Sequence, residues 1–201
     1  MEAPPAARSV VLSSEGPSTL PFPGLLAHIW DMNSVVIYGS RHGNTRKVAA
    51  AIARELRRHG RAQLMWADDA PDYLPVPTDL VVVGGPTETH RMTETMTRFF
   101  DRVPDGAMAG IAAAGFDTRV RLPRFLSGSA GAGIVKRLRS RGACVIAKEE
   151  SFFVKGVTPT HVEAPILEAG QLEHATAWAA TLAAKLESAE RALIAPASKR
   201  P

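Results

Sequence analysis

Between residues 34 and 187 the chain alternates short, unbroken apolar runs with longer stretches whose apolar residues recur every three or four positions. The runs Val35–Tyr38, Ala62–Ala67, Leu80–Gly84, Ala107–Ala114 and Ala143–Ala147 read as strands, the last continuing or resuming at Ser151–Val154. The stretches Thr45–Arg58, Thr93–Arg102, Ala130–Arg141 and Gln171–Glu187 read as helices, and in the last of them Leu172, Ala175, Ala179, Leu182 and Leu186 share one face. Asp69–Tyr73 has room only for a short helix. Strands that lack polar alternation are buried on both sides, as in parallel sheet. Right-handed crossovers then give an α/β fold, a three-layer doubly wound five-stranded parallel sheet.

The ends differ from this middle. Residues 1–31 are rich in Ala, Pro and Ser with no surviving period, and are expected to form a loose N-terminal extension. Met32 stands directly before the first strand, so translation is expected to begin there. The domain then spans 32–187, and 188–201 is a C-terminal tail. No run of about 18 apolar residues exists to span a membrane, and the proline-broken N-terminus lacks a secretory pattern. Cys144 is the only cysteine, which excludes an intramolecular disulfide and fits a reducing, cytoplasmic setting. Its apolar surroundings predict a buried, inert thiol. The formal charge is +4 with a sequence pI near 9.6, yet the arginines are dispersed and no nucleic-acid module is recognised.

Chemistry concentrates in the loops after strands. Val35–Tyr38 empties into Gly39-Ser40-Arg41-His42-Gly43-Asn44-Thr45, and a helix begins at once. Such a turn aims backbone N–H groups and a helix N-terminus at one spot, an arrangement that binds phosphate. Ser40 and Thr45 add hydroxyls, and Gly43 permits a positive φ. Gly84-Gly85-Pro86-Thr87-Glu88-Thr89 follows the third strand, and Ala114-Gly115-Phe116-Asp117-Thr118-Arg119 the fourth.

The first loop resembles the phosphate loop of the flavodoxins, Thr/Ser-x-Thr-Gly-Asn-Thr after a strand, through Ser40, Gly43, Asn44 and Thr45. The two later loops extend the resemblance to roughly residues 33–187. It implies strand order 2-1-3-4-5, with flavin mononucleotide (FMN) bound where that order reverses. It implies phosphate contacts from Ser40, Arg41, His42, Gly43, Asn44 and Thr45, and ring contacts from Pro86, Thr87, Glu88 and Thr89. The third loop, with Gly115, Phe116, Asp117 and Arg119, would close the other side of the ring. An aromatic residue usually follows Pro-Thr in this family; here Glu88, Thr89, His90 and Arg91 stand instead, with His90 or Met92 as substitutes. Phe116 could equally be core, and Asp117–Arg119 a local ion pair.

Ser127-Gly128-Ser129-Ala130-Gly131-Ala132-Gly133 reads first as a helix cap and alternatively as a second contact for FMN or a nicotinamide nucleotide. His28, His59, His161 and His174 show no metal-ligand spacing. Trp66 and Trp178 read as core.

The resemblance implies electron transfer to a redox partner protein or a small acceptor such as a quinone, with a homodimer left open. An FMN-dependent quinone reductase or protoporphyrinogen oxidase-like enzyme is the alternative, and a flavin-free doubly wound binding module the second.

Overall fold

The computed structural model describes residues 31–88, 91–123, 127–157 and 162–194. A single sheet runs through it in the order β2-β1-β3-β5-β7-β8, formed by Gly60–Trp66, Met32–Tyr38, Leu80–Glu88, Ala112–Val120, Glu150–Val157 and Val162–Leu167. Two short strands lie off that path: β4 (Arg91–Met92) pairs with β3, and β6 (Cys144–Val145) pairs with β5. Along the main path from β2 to β7 every pairing is parallel, β8 returns antiparallel along β7, and the short β4 is antiparallel to β3. The expected parallel order is therefore present, and the sheet is larger than five strands.

Alternation within the strands sorts the core. Val36 and Tyr38 of β1 face one side, joined by residues of α1 (Asn44–Leu56) and α4 (Gln171–Ile194) such as Ile52, Trp178 and Leu182. Val35 and Ile37 face the other, with Phe99 and Phe100 of α2 (Glu94–Arg102) and Ile134 of α3 (Ala130–Ser140). Both faces are dry, which is why these strands read as continuous apolar runs. No helix among the described residues is long and apolar enough to cross a membrane.

Several boundaries differ from expectation. The strand expected at Ala107–Ala114 runs instead over Ala112–Val120, because 105–110 turn twice through Gly106 (φ 77°) and Gly110 (φ 79°). Asp69–Tyr73 forms turns rather than a helix; Pro71, with no N–H to donate, stands inside it. The last helix continues beyond Glu187 to Ile194, into the expected tail. Strand β8 was not foreseen; with Pro165 in its middle it suits an edge position, where a missing ladder donor is tolerated. Cys144 is exposed rather than buried, since β6 is only two residues long and ends the sheet's reach there. Residues 1–30 lie outside the described set.

Candidate functional site

The carboxyl ends of β1 and β3 meet at the point where the chain leaves β1 toward one face and β3 toward the other. Gly39 N–H donates to the Gly84 carbonyl at 2.9 Å, fixing the two exits side by side. The turn after β1 then ends in Gly43 at φ 82°, which serves as N-cap of α1 without any side-chain cap. No acidic residue occupies the first turn of α1, and Arg46 and Lys47 are exposed beside it. Cations near a helix N-terminus reinforce its positive pole instead of neutralising it, so α1 begins with a positive, uncapped end.

The other helices are arranged differently. Glu94 and Glu173 sit in the first turns of α2 and α4. The start of α3 is taken by the carboxylate of Asp117: its Oδ2 accepts from Gly131 N–H (3.0 Å), Ser129 Oγ (2.8 Å) and Thr87 Oγ1 (3.1 Å). Thr87 Oγ1 in turn accepts from Ala130 N–H at 2.8 Å, and Ser129 Oγ caps Ala132 N–H at 3.2 Å. The glycine-rich stretch at 127–133 is thus a cap whose anion comes from β5, as its first reading held.

Asn44 and Thr45 are buried and turned inward. Asn44 Nδ2 donates to the Pro165 carbonyl of β8 at 2.5 Å, and the hydroxyls of Thr45 and Thr118 share a hydrogen bond of 2.8 Å. The far end of β5 and the middle of β8 therefore bond to the start of α1. Arg41 and His42 point outward from the same turn, Arg41 reaching Glu88 at 3.8 Å across the crevice.

Between these exits lies a cavity of about 370 Å³, lined by Ser40, Arg41, Glu88, Trp66 at the end of β2, and Thr93, Glu94, Thr95 and Arg98 of the α2 start. It occupies the crevice beyond the carboxyl ends of the strands, where open α/β sheets bind ligands, and its size falls in the range of small-molecule pockets. The Oγ atoms of Ser40 and Thr93 are buried and have no hydrogen-bond partner. Unsatisfied buried hydroxyls are costly unless something else completes them. Asp68 braces the far wall, accepting from Trp66 Nε1 (3.3 Å) and from Arg98 Nη2 (3.3 Å). That pairing raises the Arg98 pKa further above its ordinary value, chiefly through the Asp68 hydrogen bond.

The residues expected from β5 need correction. Gly115 lies mid-strand beneath α3, where a Cβ would stand 2.8 Å from Val135 Cγ2; it allows close helix packing and does not reach the crevice. Phe116 is fully buried, edge-on to Phe152 and Trp178 with ring centroids 5.8 and 6.2 Å away, so its ring offers no face to a ligand. Asp117 is fully buried in the α3 start, with Oδ1 3.9 Å from Arg119 Nε. Arg119 is committed to Ser151 Oγ, the Leu122 carbonyl and Ser127 Oγ, at 3.2, 2.8 and 2.8 Å. The shift of β5 by several residues is the cause: what reads as a loop after the strand is the strand itself. Pro86 and Thr87 form the end of β3, half-buried; Thr89 and His90 lie outside the described residues.

Trp66, Thr93, Arg98 and Thr118 were not foreseen at the site. A tryptophan closing a strand, two residues before an aspartate, is the one signal that pointed there. No cluster of His, Cys, Asp and Glu fit to hold a metal occurs among the described residues.

Residues 35–112 match the profile of a family described as a flavodoxin domain. No curated protein matches the chain. Among solved structures, a flavodoxin from the domain Archaea aligns with a TM-score of 0.60 at 20% identity, over 78% of this chain and 99% of that one. Oxidised flavodoxin 1 from Bacillus cereus gives 0.59 at 22% identity, over 78% and 97%. Rubredoxin oxygen:oxidoreductase from Desulfovibrio gigas gives 0.59 at 17% identity, over 78% of this chain and 36% of that one. At such identities the likeness establishes the fold.

Proposed function

From the flavodoxin-domain profile matched over residues 35–112 and the flavodoxin-like fold, we propose that this chain is a flavodoxin-family protein that binds FMN at the carboxyl edge of its sheet and carries electrons. One observation supports this most: among the described helices, α1 alone begins without a carboxylate in its first turn or bonded to its N-terminal amides. A phosphoryl group there would meet the backbone N–H groups that follow Gly43, with Arg46 and Lys47 alongside. The unpartnered hydroxyls of Ser40 and Thr93 fit a polar, hydroxyl-bearing ligand in the adjoining cavity. Bound FMN would supply the redox chemistry. The chain's own part is to hold the phosphate and to fix the cavity walls through Asp68, with the exposed Arg41–Glu88 pair at the rim of the crevice.

The test is titration of the purified, flavin-stripped protein with FMN and with riboflavin, which lacks the phosphate. Tight FMN binding with riboflavin weaker by at least about tenfold is expected, since charge-assisted hydrogen bonds contribute about 1.5–3 kcal/mol each. Equal affinity for the two would remove the phosphate role from the α1 terminus.

A further inference from the structure

We infer that Trp66 lies against the flavin ring, supplying from the end of β2 the aromatic wall that the turn after β3 lacks; this rests on the FMN reading above. The segment after Pro86-Thr87 begins with Glu88, and Phe116 is spent in the core. Of the described residues lining the cavity only Trp66 is aromatic; the others bring hydroxyls and two arginine–carboxylate pairs. A planar heterocycle gains little from such polar walls unless a flat apolar surface is also present.

Trp66 is held as a wall must be. Its ring meets Tyr38 edge-on, with centroids 5.4 Å apart at 77°. Its indole N–H is tied to Asp68, which Arg98 holds in turn, and Arg98 is anchored to Glu94 at 3.0 Å. These contacts hold the indole in place against the core, and the residue remains half-buried at the cavity. Trp178, by contrast, sits in the core between Phe116 and Phe152.

Flavin emission tests this in the full chain. An indole in contact with an excited flavin donates an electron and takes it back without light; a phenyl ring does not. Wild-type protein, Trp66→Phe and Trp66→Leu are titrated with FMN, with circular dichroism confirming each fold. Binding to wild type should extinguish most flavin emission. Trp66→Phe should bind within about threefold of wild type yet emit several-fold more, and Trp66→Leu should bind roughly tenfold more weakly. Emission in Trp66→Phe as low as in wild type overturns the inference while leaving FMN binding intact. Failure of wild type to bind FMN overturns the functional reading and this inference together.

Discussion

The hydroxyls of Thr45 and Thr118 lie 2.8 Å apart in a buried contact that joins the start of α1 to the far end of β5. A pair of hydroxyls spends one proton on its own bond and keeps the other. Either hydroxyl can be the donor.

The pair makes Thr45 a structural residue as well as a candidate phosphate contact. Thr45→Ala should cost about 1–2 kcal/mol in urea unfolding, because Thr118 is left unpaired. Thr118→Ala should cost a similar amount, and the double variant less than their sum. In FMN titration, Thr45→Ala should weaken binding roughly tenfold or more. Arg41→Ala should weaken it less, since that side chain is 72% exposed and screened. The reverse order would contradict the proposed phosphate site.

Gly84 permits the Phe116 ring to lie directly on β3; a Cβ there would come within 2.1 Å of Phe116 Cζ. Gly84→Ala should therefore destabilise the protein by about 1–3 kcal/mol. Adding Phe116→Leu should recover part of that loss, and chemical denaturation of the single and double variants checks it.

Asp117 organises the α3 start from a neighbouring strand. Asp117→Ala strands the donors of Gly131, Ser129 and Thr87 and leaves buried Arg119 without its carboxylate. A loss of about 3–5 kcal/mol is expected. Amide exchange in the first turn of α3 should accelerate more than exchange in α1.

Arg121 and Glu168 tie the strand end beyond β5 to the segment after β8, with Nη2 2.7 Å from Oε2. The Arg121 hydrogen bond holds the Glu168 carboxyl below its ordinary value of 4.5. A depressed carboxylate pKa contributes stability that is present above the ordinary value and fades as pH falls through the folded one. The pair is open to solvent, so the effect on overall stability should be small. Carboxyl titration by nuclear magnetic resonance should show the Glu168 midpoint rising toward 4.5 in Arg121→Gln.

Much of the fold was legible because its physics is local. Runs such as Val35–Tyr38 and Leu80–Gly84 are apolar on both faces, and helices such as 171–187 carry their stripe in plain view. The first loop was legible for the same reason: strand, glycine and helix start are contiguous. What failed was set by distant contacts. Ala107–Gly110 is as apolar as a strand, but its flanking glycines turn it. Val162–Leu167 contains Glu163 and Pro165 and becomes a strand only because β7 is there to pair with it. Asp117 and Arg119 were expected at the flavin ring, with a local ion pair as the alternative; that they face the start of α3 and Ser127 depends on residues brought in from after β5. Trp66 reached the cavity because β2 ends level with β1, a register that Tyr38 and Trp66 share across the sheet.

The carboxylate at the head of α3 also bears on which ligands the edge can distinguish. Among the described helices it fills the one other start that has no acid in its own first turn, so an outside phosphate arriving there meets a negative charge already bonded in place. On the proposed reading the edge would therefore take one phosphate: it would favour a mononucleotide, and a pyrophosphate-bridged dinucleotide would have to leave its second phosphate to solvent.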